Sequence, residues 1–141
     1  MTLCNRIRGL DVDVESQRPI LHGYYAGIGG PWAKYYTMMH VAEAKKVISI
    51  PISATGGTMT GEDVIKYILV GATTVQILSV IMINGWETIA RMNEDLQEYM
   101  VRKGISSLEE IRGEAAKRLT KPEEIIRWSG EPVEGARNVW R

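Results

Sequence analysis

The sequence predicts an α/β fold built on about three parallel strands with covering helices, and two observations carry that prediction. Short apolar runs rich in β-branched residues, at 47–54 and 73–78, lack the polar alternation of a half-exposed strand and read as strands buried on both faces. Amphipathic stretches lie between them, joined by connections too short for anything but strand–helix units, so the strands run parallel. A hydrophobic share of 45% with 24% charged residues over 141 positions is that of a globular chain of about one domain and rules out intrinsic disorder.

The elements follow in order. Thr2-Leu3-Cys4 is a short apolar run ending at Asn5, readable as the end of a strand. Residues 9 to 23 read as loop, with Asp11, Asp13 and Pro19, and lead into Gly27-Ile28-Gly29-Gly30-Pro31. From Trp32 to Val47, Tyr35, Met38, Met39 and Ala42 recur at helical spacing and predict an amphipathic helix with those residues on its buried face. Val47 to Ala54 is then a strand, broken by Thr55-Gly56-Gly57. Thr60 with Asp63 three residues on resembles a capping box and starts a helix carrying Val64, Ile65, Ile68 and Leu69, which Gly71 ends. Thr73 to Leu78 is the next strand, and Ser79 to Asn84 its exit. A longer helix follows Gly85, with Trp86, Ile89, Met92, Leu96, Tyr99 and Met100 on one face and its end near Gly104. Ser107 with Glu110, and Thr120 with Glu123 behind Pro122, read as N-caps of two further short helices.

Composition narrows the function. Seventeen basic and seventeen acidic residues leave a formal charge of zero, and no basic stripe is interleaved with aromatics, so nucleic acid and anionic membrane surfaces are not expected partners. Cys4, the single cysteine, makes no internal disulfide, and with His22 and His40 it cannot form a paired-ligand zinc site; no metal is expected. A reducing, cytoplasmic compartment and a soluble protein are predicted, since no apolar run reaches signal-peptide or membrane-span length.

In parallel α/β proteins ligands gather at the carboxyl ends of strands. The residues there are Asn5, the Gly27–Gly30 loop, Thr55-Gly56-Gly57 and Leu78-Ser79. Backbone N–H groups beside helix starts make an anion site, and a phosphate is its natural occupant. Gly56-Gly57 alone is equally a tight strand-to-helix turn.

The joint pattern goes further. Gly27-Ile28-Gly29-Gly30-Pro31-Trp32-Ala33-Lys34, Ile50-Pro51-Ile52-Ser53-Ala54-Thr55-Gly56-Gly57, Gly61-Glu62-Asp63-Val64, Gly71-Ala72-Thr73-Thr74-Val75-Gln76-Ile77 and the closing Ser106-Ser107-Leu108-Glu109-Glu110-Ile111-Arg112-Gly113 resemble, in order and spacing, the C-terminal half of the dihydroorotate dehydrogenase and dihydropyrimidine dehydrogenase family. The acidic loop after Asn5 leans towards the dihydropyrimidine branch. The resemblance implies the C-terminal half of a TIM (β/α)₈ barrel: a half-barrel unit over 1–119 that binds the phosphate of flavin mononucleotide (FMN), with a short helix and polar tail over 120–141. It implies an FMN-dependent oxidoreductase of pyrimidine metabolism. Gly30, Thr55, Gly56, Gly57, Leu78 and Ser79 would hold the FMN phosphate, and Asn5 would hydrogen-bond a pyrimidine-like substrate through its donor-and-acceptor carboxamide.

Some positions depart from the family pattern. Arg6 stands where the family has a small hydroxyl residue, Leu78 where it often has a small residue, and Thr58 where it has an apolar one. The family's flavin-contacting lysine and its Cys or Ser base have no counterpart, so no catalytic residue is expected. Cys4 reads as a small apolar residue, His22 as a loop residue and His40 as part of a helix face. A partner chain carrying the N-terminal half-barrel, or a homo-oligomer, is implied. Two other readings stay open: a non-catalytic half-barrel binding or assembly module, and a phosphate-binding barrel of isomerase or synthase type.

Overall fold

The computed structural model describes residues 1–20 and 24–120. Along them run β1 (Thr2–Leu3), β2 (Ile7–Gly9), β3 (Val12–Asp13), β4 (Arg18–Pro19), β5 (Ala26–Ile28), α1 (Ala33–Val47), β6 (Ser53–Thr55), α2 (Gly61–Leu69), β7 (Thr74–Gln76), α3 (Ser79–Asn84) and α4 (Glu87–Lys103). Two 3₁₀ turns follow, Leu108–Glu110 and Ala116–Arg118. His22, the helix expected behind Thr120 and the polar tail lie outside the described residues.

The predicted α/β class is what the chain forms. β1, β6 and β7 make one parallel sheet in the order β1-β6-β7, with Thr2 opposite Ser53 and Ala54 opposite Val75. Gln76 ties the three strands together, its side-chain amide donating to Thr2 Oγ1 at 3.2 Å and to Ser53 Oγ at 3.0 Å. Val41, Ile52, Ala54, Tyr67 and Ala72 form the core against this sheet, with Leu3, Met38 and Val75 packed around them. The last turns are fastened to α2, the Gly113 amide donating to the Ile68 carbonyl and the Ala115 amide to that of Leu69. Ser107 and Glu110 make the expected reciprocal cap. Among the described residues no helix is long and apolar enough to cross a membrane.

Several local expectations are corrected. The stretch 9–23 read as loop carries one antiparallel ribbon, β3 with β4, closed in part by the Ser16 amide on Asp13 Oδ1 at 2.7 Å, and a second, β2 with β5, flanks it. Strands of two or three residues are too short to show a period. The strand expected from Val47 is confined to Ser53–Thr55: Val47 is the last, exposed residue of α1, and Pro51 has no N–H for a ladder. Ser79–Asn84 is a helix rather than an irregular exit. The face of α1 is also shifted. Its buried residues are Ala33, Thr37, Val41 and Ala42, while Tyr35 and Met39 are exposed. α1 carries apolar residues on several sides, so spacing alone could not choose among them. In the same way Met92 of α4 is buried, whereas Trp86 beside it is largely exposed.

Two buried polar anchors hold the segment after β6. The first is Asp63, whose carboxylate accepts from the amides of Met59 (2.9 Å) and Thr60 (3.2 Å) and pairs with Lys34 Nζ at 2.6 Å. Burial pushes its pKa up, but the Lys34 hydrogen bond and charge and the two amides outweigh that and hold it below the ordinary value of 3.8. The second is Tyr67, fully buried, whose hydroxyl donates to the Gly56 carbonyl. Burial pushes that phenol up to about 12, so it stays a neutral donor at physiological pH.

Because the Asp63 carboxyl is more acidic folded than unfolded, its contribution is complete above 3.8 and is lost as pH falls below it. The melting temperature of the wild-type chain should therefore fall steeply on acidification, and Asp63→Asn should flatten that limb in a melting series over pH. Asp63→Ala should cost about 3 kcal/mol in denaturant unfolding at neutral pH, since it strands the Lys34 ammonium. Tyr67→Phe should cost about 1 kcal/mol, from the lost donor to the Gly56 carbonyl, and should reduce the loss of stability on the alkaline side.

Candidate functional site

The carboxyl ends of β1, β6 and β7 open on one cavity of about 300 Å³. Asn5, Gly30, Thr55, Gly56, Gly57, Leu78 and Ser79, the residues singled out from the sequence, all line it. Ligand pockets run from about 300 to 1,000 Å³, so this one has room for part of a cofactor.

The loops meet because side chains are absent at the crossing points. Gly57 has φ 73°, and a Cβ there would overlap the Lys34 backbone nitrogen and sit 3.0 Å from the Gly30 carbonyl oxygen. A Cβ on Gly29 would in turn lie 3.1 Å from Ser79 Oγ. The loop before α1 thus packs closely against both the turn after β6 and the start of α3. Thr37 secures the turn from below, its hydroxyl donating to the Thr55 carbonyl at 3.1 Å, and Trp32 Nε1 donates to the Gly29 carbonyl at 2.9 Å.

The cavity is built for an anion, by a route different from the one expected. The turn at Gly56-Gly57 does not open directly into α2. That helix starts at Gly61, and its first amides are already taken by Thr60 Oγ1, by Asp63 and by Asp95 Oδ2, the last at 3.2 Å from the Gly61 nitrogen. Its dipole end is occupied by the protein's own carboxylates. The free donors belong to the turn itself and to α3: among the described residues, the amides of Gly57, Thr58 and Ser79 donate to no protein acceptor. No Asp or Glu lines the cavity, Arg6 does, and Lys34 beneath the turn is committed to Asp63.

On the β1 side, Cys4 has φ 66°, an unusual conformation for a residue with a side chain, and the chain there turns out of the strand into Asn5. The Asn5 side-chain oxygen accepts from the Arg6 amide at 2.7 Å, which orients the carboxamide and leaves its NH₂ free to donate. The Arg6 stem runs where a Cβ on Gly27 would otherwise be. Cys4 itself is only partly buried, and His40 Nδ1 lies 2.9 Å from the Tyr36 carbonyl on α1, away from the cavity lining. Tyr36 and Thr37 also line the cavity and were not singled out from the sequence, and Thr58, Gln76 and Ile77 were named there with no binding role. Thr37 and Gln76 had no signal beyond one helical turn from Ala33 and the strand end.

Comparison with known proteins now places the chain. Residues 1–100 match the family model described as dihydroorotate dehydrogenase. The catalytic subunit of dihydroorotate dehydrogenase B (NAD(+)) from Petrotoga mobilis is 36% identical over 113 residues, covering 80% of this chain and 37% of that protein. Its counterpart from Thermococcus kodakarensis is 31% identical over 109 residues, covering 77% and 36%. The chain therefore spans well under half the length of these relatives, both of which carry the dihydroorotate name, whereas the sequence reading of the loop after Asn5 favoured the dihydropyrimidine branch. A dihydroorotate dehydrogenase from Eimeria tenella, solved in complex with ferulenol, superposes with a TM-score of 0.68 at 23% identity, over 84% of this chain and 31% of that one. That likeness bears on fold alone, and the fold is that of the TIM barrel. By the model match over most of its length and by the curated relatives, the chain belongs to the dihydroorotate dehydrogenase family.

Proposed function

We propose that this chain supplies the FMN-phosphate-binding part of an FMN-dependent oxidoreductase of the dihydroorotate or dihydropyrimidine dehydrogenase type. One observation carries the reading: three loops converge on a cavity that offers unpaired amides, lacks carboxylates and could not form if Gly57 bore a side chain. A phosphate fits that donor set, because a dianion is best held by several N–H groups in a site shielded from bulk water. Gly30, Thr55, Gly56 and Gly57 would form one wall of the cradle, and Leu78 and Ser79 the other. The Leu78 side chain is 70% exposed, so its bulk does not fill the space its amide borders.

When bound, FMN would supply the two-electron acceptor for oxidation of a C–C single bond in a reduced pyrimidine. This chain's residues would bind and orient. Asn5, with its NH₂ free, would donate to a ring carbonyl, and no residue here is assigned the proton transfer. Arg6 favours a ring bearing an anionic substituent such as a carboxylate, since a neutral ring would leave the guanidinium without a counter-charge. The remaining strands would come from a further stretch of polypeptide or a second copy. The unpaired edges of β1 and β7, and the exposed Met82, Ile83 and Trp86 beside them, support this. The single cysteine supports a reducing, cytoplasmic setting.

Fluorescence titrations of the purified chain with FMN and with riboflavin, which lacks only the phosphate, test the reading. FMN should bind at least about tenfold more tightly, the difference one charge-assisted hydrogen bond makes. It should also be displaced by inorganic phosphate. Equal affinity for the two flavins, or no binding of either, overturns it.

A further inference from the structure

Thr58 immediately follows the Gly56-Gly57 turn, lines the cavity and is 4% exposed. Its hydroxyl is fully enclosed yet makes no hydrogen bond, alone in this among the side-chain polar atoms of the described residues. Its backbone amide is also without an acceptor. The neighbours explain why no protein group answers. Asp63, the buried carboxylate that caps α2, already accepts from Met59, Thr60 and Lys34, and the Thr37 hydroxyl is turned to the Thr55 carbonyl. Buried hydroxyls are nearly always paired, and an isosteric valine would fill the same space without stranding a donor. A main-chain N–H and a side-chain O–H from one cavity-lining residue, neither with a protein acceptor, can chelate a single oxyanion.

The structure assigns to Thr58 a direct role as anion ligand, donating through both its amide and its Oγ1 to the phosphate group held by this loop. The assignment rests on the FMN reading above and adds a side-chain donor to a cradle otherwise made of main-chain amides and Ser79. It also makes the site selective for a phosphoryl group, which can accept several donors at once, over a single carbonyl oxygen.

The test is the same pair of flavin titrations on Thr58→Val, Thr58→Ser and the wild-type full-length chain, with thermal melting of each. Thr58→Val should weaken FMN binding by about tenfold to a hundredfold, leave riboflavin binding unchanged and melt at or above the wild-type temperature, because a stranded hydroxyl has been removed. Thr58→Ser should keep FMN affinity within about threefold of wild type. A folded Thr58→Val that binds FMN as the wild type does overturns the assignment and points to an enclosed water as the partner. Equal weakening of FMN and riboflavin overturns it in favour of a packing role. Absence of FMN preference in the wild-type chain overturns the cofactor reading and the assignment with it.

Discussion

The close approach of the turn after β6 to the start of α1 is the constraint on which the rest of the site depends. Position 57 has no room for a Cβ, because the Lys34 backbone and the Gly30 carbonyl occupy that space. Once the backbones are in contact, the same crossing brings Lys34 over α2, where Asp63 receives it at 2.6 Å, and the Asp63 carboxylate in turn collects the amides of Met59 and Thr60. A single buried charge thus fixes the α2 end of the five-residue connection between β6 and α2. Tyr67 and Thr37 fix its β6 end by claiming the carbonyls of Gly56 and Thr55. With the carbonyls held by the protein, the amides of Gly57 and Thr58 are what the turn leaves unpaired. The site is therefore preorganised by Thr37 in its wall and by Lys34, Asp63 and Tyr67 behind it, and its polarity follows from which half of each peptide the protein uses for itself.

Much of this was legible in the sequence, and the parts that were not share a physical cause. Strand order, the capping boxes at Thr60 and Ser107, and the loops that line the cavity follow from signals of short range: β-branched runs, a hydroxyl three residues before a carboxylate, glycine pairs at strand ends. What escaped was set by tertiary contact. The buried stripe of α1 runs through Ala33, Thr37 and Val41 rather than Tyr35 and Met39, because the helix comes close to β6 and only small residues fit beneath it. Periodicity counts apolar residues and cannot weigh closeness of approach. The capping carboxylate of α2 was recognised, but not that it would be shared with Lys34 and so close off that helix as an anion site. The ribbons of residues 7–28 depend on pairing between strands of two or three residues, which no local pattern encodes.

The sheet explains why so much apolar surface remains outside. Parallel strands need both faces covered, and their edge hydrogen bonds satisfied. β6 has neighbours on both sides, and Ala54 at its centre is fully buried; β1 and β7 each have one, and Thr74 and Gln76 of β7 are exposed. Beyond β7 the chain continues into α3, where Val80 is fully buried while Met82 and Ile83 are 78% and 70% exposed. Exposed apolar side chains on α3 and an open edge on β7 are both surfaces that a further stretch of polypeptide would cover.

The two ends of the cavity also differ in kind. At the β6–β7 end the donors are main-chain amides and hydroxyls, groups that recognise an oxyanion by geometry and tolerate any remainder of the molecule. At the β1 end the groups are the oriented carboxamide of Asn5 and the guanidinium of Arg6, whose stem depends on Gly27 having no side chain. These read a planar edge and a charge. The division of donor types along the cavity therefore fits the reading proposed above, with an anion held at the β6–β7 end and a planar polar group at the β1 end.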